Sequence, residues 1–232
     1  MNIIKLFSAL PALALVYLPV LLCEIQSYWP EYPNPSIMAG QVEQETCSSL
    51  TSKKCWNPRA ELKTSREYGF GLGQITIAYN TDGSERFNTF NEIKILDKSL
   101  AAWAWENRYS GQLQLRALVL KNYQNWKAIT FAATPEDRIF MKLYAYNGGL
   151  GAVLKDKKLC DKAPGCDSGK WFGHMEHTSS KSKTPFGGVY GAQSPHSITR
   201  EYVSNIVRIR APRYREKIDE LSMEFDNGLC KR

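Results

Sequence analysis

Two glutamates stand two positions apart in the sequence QVEQET, Glu43 and Glu45. The surrounding segment, residues 35–47, is predicted to be a helix. At about 100° per residue, Glu45 falls on the stripe formed by Met38 and Val42, and Glu43 falls on the opposite side. If the stripe faces the core, desolvation favours the protonated form of Glu45, as general acid catalysis requires. Glu43 is then a solvated surface charge. The alternative is that Glu45 is also solvated or pairs with a lysine.

The elements that must position such an acid are mostly helical. Helices are predicted over three further segments: residues 92–126 with a break near Gly111, residues 134–147, and residues 197–221 around Pro212. The second of these has a strong start, with Thr134 as its cap and Pro135 in its first position. Residues 48–70 and 155–195 are predicted to be loop-rich. Because strand signals are few, the sequence predicts a mainly α fold.

Four short motifs follow one another along the chain: ET at 45–46, GLGQI at 71–75, AYNGG at 145–149 and TREYVSNI at 199–206. In this order they resemble the lytic transglycosylases of the goose-type-lysozyme-like group, the soluble-lytic-transglycosylase catalytic domain. The resemblance spans residues 36–215. It implies an α+β, lysozyme-like fold that is mainly helical and has a substrate cleft.

The resemblance also implies roles for individual residues. Glu45 matches the single catalytic acid/base of the family. Six further residues match positions that contact substrate or line the cleft: Thr46, Gln74, Ile75, Tyr146, Asn147 and Tyr202. The sequence departs from the family pattern at three positions, where Thr46 replaces serine, Gly73 replaces methionine and Ile198 replaces glutamate.

The activity implied is cleavage of the β-1,4 bond between N-acetylmuramic acid and N-acetylglucosamine in peptidoglycan, with formation of a 1,6-anhydro end. One carboxyl group suffices if it first donates and then accepts the proton. No metal or cofactor is expected, since the Cys and His residues lack the spacing of a zinc site. The alternatives are a goose-type lysozyme that hydrolyses the same bond, and a non-catalytic wall-binding or secretion-apparatus protein with this fold.

The N-terminus predicts export. Residues 1–23 begin with a single cation, Lys5, and continue as an uncharged, mostly apolar run. No small residue precedes the end of the run at a position that suits signal cleavage, so an uncleaved inner-membrane anchor is favoured over a removed signal peptide. Residues 24–35 contain three prolines and are predicted to be an extended linker to a catalytic domain over residues 36–232. The chain is expected to be periplasmic, anchored or released, and of the phage endolysin type that causes host cell lysis.

The cysteines agree with export, because an even number, six, is typical of an oxidising compartment. The preferred disulfides join near neighbours in sequence: Cys47 with Cys55, and Cys160 with Cys166. Cys23 and Cys230 are left over, and the sequence alone does not pair them. A less favoured alternative gives Cys47 another partner, so that a change of disulfide would alter the catalytic helix when the anchor leaves the membrane.

The charge of the chain indicates its kind of partner. The 232 residues carry a net charge of +7, which favours an anionic partner. The Lys and Arg residues are scattered, whereas a nucleic-acid-binding surface usually concentrates them. We therefore expect a monomer that binds peptidoglycan glycan strands and no nucleic acid.

Overall fold

The structure, a computed structural model, describes residues 10–187, 191–225 and 230. They form two compact units. The first contains the described residues up to Leu120 and those from Ile209 onward, and the second is Lys121–Arg208. Helices make up most of both units, and the sheet of the described residues has four strands. The prediction of a mainly helical protein is confirmed.

The α-helices are α1 (Ala12–Tyr28), α2 (Pro35–Thr46), α3 (Thr89–Lys94), α4 (Gly111–Ala128), α5 (Pro135–Gly148), α6 (Leu150–Cys160), α7 (Pro195–Ser204) and α8 (Arg215–Phe225). A π-helical turn, Asn205–Arg210, and a 3₁₀ turn, Ala211–Tyr214, connect α7 to α8. The C-terminal segment is therefore helical as predicted, with its irregular part around Pro212. The start of α5 is also confirmed, because the side chain of Thr134 accepts a hydrogen bond from the backbone N–H of Asp137.

Part of the predicted anchor, residues 1–9, lies outside the described residues. The described part forms most of α1, which packs into the first unit. The carboxylate of Glu24 in α1 is buried and forms an ion pair with Arg116 of α4, with an N–O distance of 2.8 Å. Across the described ranges, no helix combines the length and apolar character that a membrane span requires. The linker predicted over residues 24–35 is shorter than expected, because α1 continues to Tyr28.

The strands are β1 (Glu61–Lys63), β2 (Glu67–Phe70), β3 (Ile75–Tyr79) and β4 (Glu85–Asn88), paired in that order and antiparallel throughout. The prediction of a loop over residues 48–70 was wrong for the residues that form β1 and β2. These strands have three and four residues, too few to show a period of two in the sequence. The face of the sheet that carries Phe70 covers an apolar core with α3 and the start of α4.

Two predicted boundaries were wrong. The helix expected from residue 92 ends at Lys94, and only the 3₁₀ turns Lys98–Leu100 and Trp105–Asn107 follow before α4. The apolar residues that suggested a helix here, such as Leu100 and Trp103, are buried in the core. The three- and four-residue spacing of these apolar residues therefore reflects their burial and does not indicate a helix. The loop-rich segment expected from residue 155 begins later, because α6 continues to Cys160.

The structure contains three disulfides. Two are the near-neighbour pairs preferred from the sequence, Cys47–Cys55 and Cys160–Cys166. The third joins Cys23 of α1 to Cys230, 207 residues further along the chain. It links α1 to the C-terminal segment.

Candidate active site

The helix that carries Glu45 is buried along most of its length. Every residue of α2 from Ser36 to Glu43 is buried. Gly40 lies against the 3₁₀ turn that precedes α8, and a Cβ atom at this position would be 2.7 Å from the backbone N of Ala211. Beyond Glu43, the side chains of Gln44 and Glu45 regain access to solvent near the C-terminal end of α2. Glu45 is therefore a partly accessible carboxyl group on an otherwise buried helix.

The prediction that Glu43 is solvated was wrong. Its side chain is fully buried and accepts hydrogen bonds from three donors. The donors are Arg210 Nη1 at 2.7 Å, Arg213 Nη1, and the Tyr214 hydroxyl at 2.7 Å. Burial raises the pKa of Tyr214 well above its usual range, and the Glu43 carboxylate acts in the same direction. Glu43 thus anchors α2 through contacts with two guanidinium groups and a tyrosine hydroxyl.

The same network continues to the end of α2. The Tyr214 hydroxyl accepts a hydrogen bond from Trp56 Nε1 at 2.8 Å, and the Trp56 backbone N–H donates to Thr46 Oγ1 at 2.9 Å. Thr46 Oγ1 in turn donates to the carbonyl of Val42 at 2.7 Å. Thr46, expected to contact substrate, is buried and fully engaged in these bonds. The hydrogen bonds of Thr46 therefore stabilise the loop that follows α2.

Gln74 lies at the turn between β2 and β3. Its φ of 42° is in the left-handed region, which costs a residue other than glycine about 1–3 kcal/mol. Its Nε2 donates to the carbonyls of Gly71 at 3.0 Å and Ala60 at 3.2 Å. Its Oε1 faces Gly69, where a Cβ atom would come within 3.0 Å. The amide of Gln74 is therefore held in one orientation while its side chain remains partly accessible.

The neighbours of Gln74 are core residues. The backbone N–H of Leu72 donates to the buried Gln114 Oε1 at 2.8 Å, and Gln114 Nε2 donates to the carbonyl of Pro58 at 2.9 Å. Ile75, expected to line the cleft, is only 2% exposed and packs in the apolar core under the sheet. It supports the turn from below and offers no accessible surface to a ligand.

In the second unit, the motif AYNGG forms the end of α5. Tyr146 is partly exposed and Asn147 is exposed. The helix stops at Gly148, and Gly149 takes a φ of 86° that a side chain would disfavour. Lys181 Nζ donates to the carbonyl of Gly148 at 2.9 Å, and burial lowers the pKa of Lys181. The helix end that presents Tyr146 and Asn147 is thus fixed by a cation at its carbonyls.

A second buried carboxylate supports this helix end. Asp156 of α6 is fully buried and accepts hydrogen bonds on both oxygens. Oδ2 accepts from the Tyr144 hydroxyl and from Arg200 Nη2, each at 2.7 Å, and Oδ1 accepts from Ser180 N and Oγ at 2.6 and 2.8 Å. Tyr202, expected to contact substrate, is 4% exposed and therefore belongs to the core of this unit.

The structure thus divides the expected site residues by access. Three of them are buried: Thr46, Ile75 and Tyr202. The partly or fully accessible ones are Glu45 and Gln74 in the first unit, and Tyr146 and Asn147 in the second. Sequence reasoning missed the burial of the Glu43 and Asp156 carboxylates. No local pattern reveals this burial, because their arginine partners are far away in the sequence.

A comparison with protein-family models finds no matching family, and a comparison with curated proteins finds no significant match.

Proposed function

We propose that this chain is a peptidoglycan lytic transglycosylase in which Glu45 is the catalytic acid and base. The observation that carries the proposal is the difference in solvent access between two neighbouring glutamates. Glu43 is fully buried and occupied by two guanidinium groups and a phenol. Glu45 keeps access to solvent at the end of the same rigid helix. Proton transfer to a substrate requires an accessible carboxyl group on a well-packed support, and Glu45 lies at such a position near the end of α2.

In the proposed reaction, protonated Glu45 donates its proton to the oxygen of the β-1,4 bond as the bond to the anomeric carbon breaks. Positive charge develops at that carbon, as in other glycoside cleavages. The Glu45 carboxylate then takes the proton from the 6-hydroxyl group of the same muramoyl residue. The freed oxygen attacks the anomeric carbon and closes the 1,6-anhydro ring. The carboxyl group ends as it began, and no water is consumed.

Several residues of the first unit support this chemistry because hydrogen bonds hold them in place. The Glu43 network fixes α2 on one side, and the hydrogen bonds of Thr46 fix the segment that follows it. Gln74 offers a rigid amide beside Gly69, where the absence of a side chain leaves its oxygen uncovered by a Cβ atom. We assign Gln74 to substrate binding, as the resemblance implies, and leave Tyr146 and Asn147 as expected substrate contacts.

The proposal includes the finer features implied by the resemblance: a lysozyme-like fold, an export segment over residues 1–23, and a role as a phage endolysin in host cell lysis. Three disulfides support an oxidising compartment, since cytosolic proteins rarely keep them. The net charge of +7 suits an anionic wall polymer.

The decisive variant is Glu45→Gln, which keeps the shape of the side chain but removes the transferable proton. We expect clearing of a suspension of purified sacculi to slow by about 10²–10⁴-fold, the usual contribution of general acid–base catalysis. Glu216→Gln, at an exposed position of α8, is the matched control and should clear at the wild-type rate. Clearing by Glu45→Gln at the wild-type rate would sink the assignment.

Mass spectrometry of the digest identifies the reaction. Transglycosylase products are lighter by one water than the products of hydrolysis, because the ring closes without water. Products with ordinary reducing ends would instead identify a goose-type lysozyme. Binding of sacculi with no cleavage would identify a non-catalytic wall-binding protein.

A further inference from the structure

The second unit carries most of the positive charge of the protein. Residues 121–208 contain 13 Lys and Arg residues and 7 Asp and Glu residues, so they account for +6 of the net charge of +7. Four of the 13 cations lie within residues 154–162, in α6 and the turn that follows it. None of these four has a role in the proposed reaction. This segment therefore concentrates positive charge outside the proposed active site.

The buried residues of α6 show which face of the helix points outward. Three of them mark its inner face: Val153, Asp156 and Cys160. At about 100° per residue, three exposed lysines lie within about 60° of one another on the opposite face: Lys155, Lys158 and Lys162. The backbone N–H of Lys162 donates to the carbonyl of Leu159 at 3.2 Å, so the helical turn continues far enough to keep Lys162 in line. We call these three residues the lysine row.

Neighbouring acids do not neutralise the lysine row. In the part of the chain that the structure describes, no carboxylate forms an ion pair with any of its three amines. The two acids of the same segment have other partners. Asp156 is buried and pairs with Arg200, and Asp161 Oδ2 accepts from Lys157 Nζ at 2.7 Å. The row therefore presents three positive charges to solvent.

Two exposed leucines flank the lysine row. Leu154 and Leu159 are 41% and 43% exposed. On the same helical wheel each lies about 40° beyond the row, one on either side. Cations near the C-terminal end of a helix are stabilised by its dipole, which accounts for lysines at this end of α6. The dipole gives no reason for leucines beside them, whereas a partner that combines negative charge with an apolar layer accounts for both.

We propose that this face of α6, formed by the lysine row and the two leucines, binds the surface of a bilayer that contains anionic lipids. Lysine is a compact point charge on a flexible stem. A row of lysines therefore suits lipid phosphates that move to meet it, whereas a ligand of fixed geometry favours arginine. The leucines enter the boundary between head groups and acyl chains, and the lysine stems lie along that boundary. A wall polymer offers no such apolar layer.

This contact is separate from the predicted export segment, residues 1–23, and does not depend on the chain being an enzyme. The test measures sedimentation of the full chain with phosphatidylcholine vesicles, prepared with and without phosphatidylglycerol. Changing all three lysines of the row to Gln should weaken binding to the anionic vesicles about 100-fold, since each lysine close to such a surface strengthens binding about 5-fold. Binding to the neutral vesicles should not change. Residues 1–23 are the same in both proteins, so they contribute equally to both.

Two matched variants test whether the position of the charge matters. The first removes the same charge from exposed positions of the first unit, by Lys53→Gln, Lys98→Gln and Arg215→Gln, and should bind nearly as wild type does. Equal weakening by this variant would overturn the proposal, because it would show only a diffuse effect of charge. The second changes the row to arginine, which keeps its charge, and should retain binding. If it bound as weakly as the Gln variant, charge would not be the cause and the proposal would fail.

Leu154→Ser with Leu159→Ser tests the apolar part at unchanged charge. We expect about 10-fold weaker binding to the anionic vesicles, because half-exposed leucine side chains no longer leave water. Binding at the wild-type level would overturn the assignment to lipid. A loss of the Gln variant on sacculi with none on vesicles would do the same, since it would assign the row to a polymer. Every replaced side chain is exposed, so all variants should keep the wild-type denaturation midpoint.

Discussion

Among the described residues, Glu43 in the first unit and Asp156 in the second are carboxylates with 0% exposure, whereas Glu24 of the first unit is 3% exposed. Glu43 and Asp156 each receive a guanidinium group and a tyrosine hydroxyl, and each supports a helix end that presents a candidate site residue. The resemblance ends at the remaining donors. A second arginine completes the Glu43 site, whereas Ser180 completes the Asp156 site with its backbone N–H and its hydroxyl group.

The two networks also differ in how far they reach along the chain. The partners of Glu43 are 167–171 residues away, so this network joins the N-terminal and C-terminal parts of the first unit. The partners of Asp156 are 12–44 residues away and close a continuous segment. A buried carboxylate can thus join distant parts of the chain or stabilise one continuous segment. The arrangement of the hydrogen-bond donors around it decides how much stability is lost when an amide replaces it.

Asp156→Asn is expected to have the larger effect on stability. An amide has one accepting oxygen and one donating nitrogen, but fixed donors face both positions, Arg200 at one and the Ser180 N–H at the other. In either orientation the new NH₂ group therefore meets a donor. We expect a loss of about 3–5 kcal/mol of unfolding free energy, measured by chemical denaturation and located by hydrogen exchange in the second unit.

The control for this change is Asp161→Asn, which removes a carboxylate from an exposed ion pair with Lys157 one turn away. Its denaturation midpoint should match that of wild type. If Asp156→Asn were as stable as this control, Asp156 would not be receiving donors on both oxygens.

Glu43→Gln is expected to cost less, about 1–3 kcal/mol. Here the new amide avoids a clash between donors, because its oxygen can face Arg210 and Arg213 while its NH₂ group donates to the Tyr214 hydroxyl oxygen, and the loss is the acceptor of the Tyr214 O–H. The arginines are 21% and 25% exposed, so water can compensate part of the lost charge. Denaturation of this variant beside Asp156→Asn measures the difference directly. A larger loss at Glu43 than at Asp156 would contradict the donor argument.

The parts of the fold that could be predicted are those with local causes. Thr134 and Pro135 start α5, and Gly149 ends it, through contacts with residues a few positions away. Glu43 shows the opposite case. A helical wheel assumes that one face meets water, but α2 is buried from Ser36 to Glu43, so the wheel assigned Glu43 to a solvent face that does not exist.

The candidate site likewise contains residues whose roles could be predicted from the local sequence and residues whose roles could not. The motifs predicted roles for Glu45 and Gln74 because the same residue types occur in the same order in the family that the sequence resembles. They did not show that Thr46 and Ile75 are structural supports, since burial depends on partners such as Trp56 that the local sequence does not specify. A short strand such as β1, with three residues, likewise depends on its neighbour in the sheet and carries no signal of its own.

Replacement of Lys142 is expected to change stability the least. Lys142 allows a buried base to be compared with the buried acid Asp156 in the same unit. Its amine is fully buried and donates to Asn122 Oδ1 at 2.9 Å, and burial lowers its pKa well below the usual value. Between this lowered pKa and the unfolded value of about 10.4, the unfolded chain binds more protons than the folded chain, so unfolding free energy rises with pH across that window.

Lys142→Met removes this titration and should flatten the pH dependence. The variant's advantage over wild type should be largest at the acidic end of the window and should shrink as pH rises toward the unfolded pKa, where both states of the wild-type lysine are neutral. Denaturation of the two proteins side by side at several pH values measures the difference, and every other titrating group cancels. A constant difference across the window would mean that Lys142 keeps its proton in the fold. In that case the second unit would hold a buried cation as firmly as it holds the Asp156 carboxylate.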